Sequence, residues 1–255
     1  MNFITATHTD VGLKKSTNQD SLLVQQAQTS VGNVLLAVIC DGMGGLAKGE
    51  VASAAVVRSF SEWFQKVLPG ALSAGFTPEI LHHGWQDIVL QSNRRISEYG
   101  AGIHVDLGTT AVAFLVIGTN YYIMNVGDSR VYSITDRIYQ LTKDQTYVQR
   151  EMDLGNMTYE QAMQDPQRNV LLQCIGASRV ITPDYVAGQL EQNQCYLLCS
   201  DGFRHVISPD EITRSLNPKK LTDKAAMTKA LVELTELDKA RKEDDNISAI
   251  LIRTC

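Results

Sequence analysis

Residues Val34 to Cys40 form an unbroken apolar run rich in branched side chains, and Asp41-Gly42-Met43-Gly44-Gly45 follows at once. Such a run reads as a strand buried on both faces. A carboxylate at the mouth of a dry strand is costly unless a cation or a hydrogen-bond donor compensates it. The glycines behind it let the backbone turn sharply and approach a ligand closely. One Asp-Gly of this kind reads most simply as a turn cap, but the same grammar recurs. Tyr196-Leu197-Leu198-Cys199-Ser200-Asp201-Gly202 is a second apolar strand ending in Asp-Gly, and Asp244-Asp245-Asn246 leads directly into Ile247 to Ile252. Three strand termini that deliver carboxylates point to one metal site assembled from distant parts of the chain.

The 255 residues, 44% of them hydrophobic and 20% charged, are enough for one large core. No repeat, low-complexity run or linker divides them, so a single domain over 1–255 is expected. The net charge of -5, with no Lys/Arg cluster longer than a pair, argues against a nucleic-acid surface. The N-terminus lacks the basic-then-apolar pattern of a secretory signal, and no apolar run approaches the roughly 20 residues that span a bilayer. The expectation is a cytoplasmic protein with no membrane contact. Five cysteines, an odd number, do not suggest a disulfide framework. Cys40, Cys195 and Cys199 read as small core residues, and Cys195-x3-Cys199 lacks the second pair a zinc site needs.

Along the chain, Phe3 to Thr9 alternates as a half-buried strand and Ser21 to Gln26 is another. The loop Ala27 to Asn33 returns as a hairpin, which places Asp20 and Asp41 at the same end of neighbouring strands. A helix follows Gly49, with Ala52, Val56, Ser59/Phe60, Trp63 and Val67 inward, and Pro69-Gly70 is expected to stop it. Thr77 caps a second helix whose inward stripe is Leu81, Trp85, Ile88, Ser92, Ile96 and Tyr99. The tryptophans read as core, His82 and His83 as solvated. Four short strands between Thr109 and Leu141 read as one antiparallel meander, followed by a helical stretch from Asp144. The polar segment Gly155 to Arg168, with its Thr158-x-x-Gln161 capping box, reads as an inserted flap. Strands at Tyr185–Ala187 and Cys195–Cys199, a short helix from Ser208-Pro209-Asp210-Glu211, a last helix capped by Thr222 and the strand Ile247–Ile252 complete the chain. Antiparallel sheets alternating with helix pairs pack economically as a β-sandwich with the helices outside, an α+β fold.

Carboxylates with a glycine carbonyl are hard oxygen ligands, suited to Mn²⁺ or Mg²⁺ rather than Zn²⁺. With Asp41 between Asp20, Asp201 and Asp245, two ions can share one bridging carboxylate. Two such ions, roughly 3.5–4 Å apart, stabilise the attacking and leaving oxygens of an in-line displacement and make hydroxide available at neutral pH. No covalent nucleophile is required.

Eight segments in order carry a family resemblance: Asn18-Gln19-Asp20, Asp41-Gly42-Met43-Gly44-Gly45, Gly108-Thr109-Thr110, Asn125-Val126-Gly127-Asp128-Ser129-Arg130, Leu141-Thr142-Lys143-Asp144, Asn169-Val170-Leu171, Cys199-Ser200-Asp201-Gly202 and Asp245-Asn246. The chain resembles the metal-dependent protein phosphatases of the PPM type (protein phosphatase 2C), bacterial branch. The resemblance implies a four-layer α-β-β-α sandwich, two antiparallel β-sheets flanked by helix pairs, with metals in a cleft at one end. It also implies hydrolysis of phosphoserine and phosphothreonine in proteins by direct attack of a water or hydroxide bridging two Mn²⁺ or Mg²⁺ ions. Carried over, Asp41 bridges the ions, the Gly42 carbonyl binds one, Asp201 and Asp245 hold the other, and Asp20 helps through bound water. Asp128, with Asp201, would supply a third metal position, against the alternative of an aspartate in a tight Gly-Asp-Ser turn. The segment at about 149–168 matches the family's flap, and the implied partners are a Ser/Thr protein kinase and its substrates.

Three departures stand out. Lys15 occupies the position where the family usually has a phosphate-clamping arginine; it supplies charge without a bidentate fork, and Lys14 is placed to share the task. Met43 stands where animal members have the histidine proposed as general acid. Gln145 and Asp165 stand where relatives often carry histidines. Two rival readings remain. Cys174-Ile175-Gly176-Ala177-Ser178-Arg179 and Cys199-Ser200-Asp201-Gly202-Phe203-Arg204 resemble the loops of cysteine-dependent phosphatases, but each has four residues between Cys and Arg where that chemistry uses five. A catalytically weak or inactive binding module of the same fold would typically have lost metal carboxylates, and Asp20, Asp41, Asp201 and Asp245 are all present.

Overall fold

The structure, a computed structural model, describes residues 1–44 and 48–255, so Gly45 of the second motif lies outside the described residues. In chain order the strands are β1 (Phe3–Asp10), β2 (Asp20–Thr29), β3 (Gly32–Gly44), β4 (Leu107–Thr109), β5 (Ala111–Ile117), β6 (Asn120–Val126), β7 (Arg130–Ile134), β8 (Ile138–Gln140), β9 (Asp184–Gln189), β10 (Cys195–Cys199) and β11 (Ile247–Thr254). The helices are α1 (Gly49–Lys66), α2 (Leu68–Ala74), α3 (Pro78–Ile103), α4 (Tyr147–Asp153), α5 (Tyr159–Gln164), α6 (Pro209–Ser215) and α7 (Lys224–Ala240). One antiparallel sheet has the order β1-β11-β10-β7-β8; the other runs β2-β3-β5-β6-β9, with β4 paired to the end of β3.

Strand β3 shows why the layers stack as they do. Its even positions Val34, Leu36, Val38 and Cys40 pack under Val56, Phe60, Trp63 and Trp85 of α1 and α3. Its odd positions Leu35, Ala37 and Ile39 face the second sheet and meet Tyr196, Leu198, Ile250 and Ile252. A strand with period two and apolar residues on both faces must lie between two layers. On the far side, Leu197, Cys199 and Leu251 pack against Leu216, at the C-terminal cap of α6, and Leu231 and Leu234 of α7. The result is the α-β-β-α order, with each buried Leu, Ile or Val contributing about 1.5–3 kcal/mol.

The local readings hold best where patterns are strong. The hairpin register pairs Asp20 with Asp41 across β2 and β3, both tryptophans are buried, and the Thr158 and Ser208 capping boxes form with both of their hydrogen bonds. Several expectations are corrected. Pro69-Gly70 does not end a helix but sits in the first turn of α2, where a missing N–H costs nothing. The break falls earlier, so Val67 becomes exposed, and Tyr99 is exposed as well. His82 is not simply solvated; it stacks on Tyr185 with ring centroids 4.3 Å apart. The four-strand meander is split: β5 and β6 belong to one sheet, and β7 and β8 to the other, where β7 pairs with β10. The last helix takes Asp223, not Thr222, as its cap, with the Asp223 carboxylate accepting from the Ala226 N–H.

Asp238 on α7 is fully buried, and neither of its carboxylate oxygens has a hydrogen-bond partner. Burial, reinforced by Glu243, pushes its pKa up to about 8. Below the unfolded value near 3.8 the group is neutral in both states and costs nothing. Between that pH and about 8 the unfolded chain ionises it while the folded chain resists, so its destabilising effect grows as pH rises. Asp238→Asn is therefore expected to match the wild type near pH 4 and to exceed it by on the order of 2 kcal/mol at pH 8. Urea unfolding of both proteins across that range measures the difference; a gap that does not widen with pH would contradict the assignment.

Candidate active site

Asp41 has the parity of Leu35, Ala37 and Ile39, so it continues the inter-sheet row of β3 out of the core and into the cleft between the sheets. Asp20 lies opposite it in register. The main chain at Asp41 is clamped from β4 and β5: its carbonyl accepts from the Thr110 N–H (2.8 Å) and from Thr109 Oγ1 (2.9 Å), while its N–H donates to Thr110 Oγ1 (3.0 Å). The Gly108-Thr109-Thr110 motif is thus the holder of Asp41. Gly42 donates its N–H to the Gln19 carbonyl. A Cβ there would lie 2.3 Å from the Gly49 carbonyl oxygen and 2.6 Å from that of Gln19. Only glycine lets β3, the approach to β2 and the start of α1 meet this closely.

Asp201 follows β10 and opens a 3-10 turn, Asp201–Phe203. A Cβ on Gly202 would sit 2.2 Å from the Asn246 carbonyl oxygen, so the end of β10 lies directly against the segment carrying Asp245. Asn246 ties that segment to the N-terminal loop: Oδ1 accepts from the Gln19 N–H (2.8 Å), and Nδ2 donates to the Val11 carbonyl (2.8 Å). Four carboxylates from four separate stretches are gathered in this way by glycines, amides and hydroxyls rather than by one another.

Their electrostatics are those of crowded, desolvated acids. Burial, and then the charges of Asp20, Asp201, Asp128 and Asp245, holds the Asp41 carboxyl well above the usual range. Asp20 rises for the same reasons, burial first and Asp201 next among the charges, although Ser200 Oγ donates to its Oδ2 at 3.0 Å. Asp128 rises too, through burial and the charge of Asp201. Asp201 moves the other way: burial opposes ionisation, but the neighbouring His205 and Arg204 outweigh it. Lys15 Nζ lies 2.8 Å from Asp245 Oδ1; despite partial burial, that bond together with Asp41 and Asp201 raises its pKa. Lys14 does not share this position, for it pairs outward with Asp244 at 2.6 Å.

Two groups, His205 and Glu243, escaped the sequence reading. His205 lies between two carboxylates, 3.3 Å from Asp201 Oδ2 and 3.6 Å from Glu243 Oε2. Arg204 donates to the Asp128 carbonyl at 2.9 Å and sits 3.5 Å from the carboxylates of Asp128 and Asp144. Asp144 is in turn gripped by both arms of Arg130, at 2.8 and 2.6 Å. His205 stands four residues after Asp201 and Glu243 two before Asp245, a spacing that could have drawn notice. Gln145 is structural: its Oε1 accepts from the Gly127 N–H (2.8 Å) and its Nε2 donates to Asp184 (2.8 Å), fixing the turn in which Asp128 lies. Cysteine chemistry does not fit here. Cys199 is fully buried and burial pushes its thiol up to about 12, and Cys174 is buried with a raised pKa.

Among the described residues, no three His, Cys, Asp or Glu side chains are drawn together tightly enough to hold a metal ion as they stand. The donor chemistry nonetheless fits a hard divalent cation. Asp20 Oδ1 and Asp201 Oδ1 are buried with no hydrogen-bond partner, and Asp41 is crowded by like charge from every side. Oxygen donors with spare lone pairs and excess negative charge are what Mn²⁺ or Mg²⁺ requires.

The chain is an α-β-β-α sandwich with acidic groups gathered at one end, and comparison with known proteins makes the assignment. The family model for protein phosphatase 2C matches residues 9–251, and the chain belongs to that family. It is 30% identical over 224 residues to the serine/threonine phosphatase stp of Listeria monocytogenes, covering 86% of this chain and 84% of that one. The S. agalactiae serine/threonine phosphatase superposes with a TM-score of 0.86 at 27% identity, with 100% of both chains covered. The catalytic domain of the phosphatase PstP, solved in complex with two manganese ions, superposes with a TM-score of 0.77 at 27% identity, covering 98% of this chain and 97% of that one. The chain is an enzyme, a serine/threonine protein phosphatase acting on phosphoproteins. No helix among the described residues is long and apolar enough to cross a membrane.

Proposed function

We propose that this phosphatase removes phosphate from phosphoserine and phosphothreonine at a centre of two Mn²⁺ or Mg²⁺ ions. Asp41 and the Gly42 carbonyl would hold one ion and Asp41, Asp201 and Asp245 the other, with Asp20 acting through bound water. When bound, the cations neutralise the carboxylates, polarise the phosphoryl oxygens and acidify water. The chain's own residues do the rest. Thr109, Thr110 and Ser200 keep Asp41 and Asp20 in place, the glycines bring the four segments together, and Lys15 offers positive charge to the incoming phosphate. Asp128 is the weakest candidate ligand, because Arg204 already partners it; a third ion there would compete with that contact.

The single observation carrying this reading is the convergence of Asp20, Asp41, Asp201 and Asp245 from four separated segments, each buried or part-buried and influencing the others' ionisation. The whole chain serves as one catalytic domain, with the segment at about 149–168 as a flap that sorts substrates. Its α5 helix and exposed Leu154 and Tyr159 suit contact with a peptide. A Ser/Thr protein kinase sharing its substrates is the natural partner, and the cytoplasm the natural compartment.

The test is hydrolysis of an aryl phosphate and a phosphothreonine peptide with added Mn²⁺, repeated for Asp245→Ala. The variant is expected to lose on the order of 10²-fold or more in kcat/KM on both substrates, since a lost metal ligand removes several kcal/mol of transition-state stabilisation. Undiminished turnover would overturn the assignment of the site.

A further inference from the structure

Two groups beside the cleft, the buried Glu243 and the more exposed His205, have no part in the proposed chemistry so far. Glu243 is almost fully buried, and both of its oxygens are engaged. Its Oε1 accepts from the backbone N–H groups of Asp244 (3.0 Å) and Asp245 (3.1 Å), and its Oε2 lies 3.6 Å from His205 Nδ1. The other nitrogen of His205 is 3.3 Å from Asp201 Oδ2. One carboxylate therefore holds the backbone of Asp245 directly and the side chain of Asp201 through an imidazole.

The oxygens left over are informative. The contact with His205 takes up Asp201 Oδ2 and leaves Oδ1 buried and without a partner. Asp245 uses Oδ1 on Lys15 and on the Asn246 N–H, which leaves Oδ2. We propose that Glu243 and His205 form an outer brace that orients Asp201 and Asp245 toward one and the same divalent cation. This rests on the two-cation reading above and deepens it. Held from outside, a carboxylate loses less freedom when it takes up a ligand, and such outer partners typically matter about 10–100-fold in metal affinity. Glu243 and His205 are positioning residues and touch no substrate. A purely architectural Glu243, holding only the loop before β11, would make His205 irrelevant to metal binding, because its bonds to Asp244 and Asp245 do not involve His205.

Mn²⁺ titration calorimetry on the full chain separates these cases, with thermal unfolding in EDTA as the check on folding. His205→Ala and Glu243→Ala are each expected to weaken one of the two Mn²⁺ sites about tenfold and to leave the other within about twofold. The double variant is expected to be no weaker than the worse single one, because both act along one line of contacts. His205→Gln, whose amide N–H can still reach Asp201, is expected to recover most of the loss. If Glu243→Ala fails to fold, the two His205 variants decide. Wild-type affinity at both sites in folded His205→Ala, or equal weakening of both, would overturn the brace. Asp245→Ala, titrated alongside, keeps the two claims apart. If it still binds two Mn²⁺ with wild-type affinity, the site reading fails; if it loses one while His205→Ala binds normally, only the brace fails.

Discussion

Asp41→Asn is expected to lower kcat/KM on a phosphothreonine peptide by about 10³-fold or more and, in the same protein held in EDTA, to raise the melting temperature. The loss follows because, in the proposed site, Asp41 is the carboxylate that both cations would share, and about 4 kcal/mol of transition-state stabilisation corresponds to a thousandfold in rate. The gain follows because the Asp41 carboxyl is buried among Asp20, Asp201, Asp128 and Asp245, and its ionisation is opposed by all of them. Replacing it with a neutral isostere removes that repulsion, worth on the order of 1–2 kcal/mol, or about 2–8 °C for a chain of this size. Opposite signs in activity and stability mark a site built at the expense of the fold. An Asn variant that melts lower than the wild type in EDTA would mean that Asp41 is structural.

Gly42→Ala is expected to cost about 3 kcal/mol of stability and most of the activity. The new Cβ would meet three backbone atoms, the Gly49 carbonyl oxygen at 2.3 Å, the Gly49 carbonyl carbon at 2.5 Å and the Gln19 carbonyl oxygen at 2.6 Å. Side chains can yield to overpacking, but these atoms belong to segments fixed by hydrogen bonds, which puts the cost at the upper end of the usual range of about 1–3 kcal/mol. The resulting shift moves Asp41 and Asp20 together, because Gly42 and Gln19 are their chain neighbours. Gly70→Ala is the matched control. It lies in a helix with open space around the added methyl and is expected to be neutral or stabilising by up to about 1 kcal/mol. Denaturant midpoints for the two variants measure the contrast, and equal values would contradict the packing described at Gly42.

These effects trace back to features that were visible in the residues to different degrees. The dry strand ending in Asp41 was legible because period-two burial on both faces leaves an apolar run with no interruption, and the hairpin geometry then fixed Asp20 beside it. The division of β5 to β8 between two sheets was not legible. Short alternating strands specify that they pair, but the crossing at Gly127, Asp128 and Ser129 depends on long-range partners such as Thr110, whose hydroxyl meets that of Ser129 at 2.9 Å. Pro69-Gly70 misled because proline is equally at home where a helix starts. His205 and Glu243 went unread because a histidine in a turn and one more acid in Glu243-Asp244-Asp245 carry no periodic signature; only the fold brings them onto Asp201. Thr222 and Asp223 are both good caps, and local sequence does not choose between them.

The central claim, that Asp41 is shared by two cations, is tested most directly by soaking crystals of the wild-type protein with Mn²⁺ and recording an anomalous difference map. The account predicts two peaks flanking the Asp41 carboxylate, one of them reached by Asp201 and Asp245. A map with a single ion, or with Mn²⁺ bound away from Asp41, would contradict it.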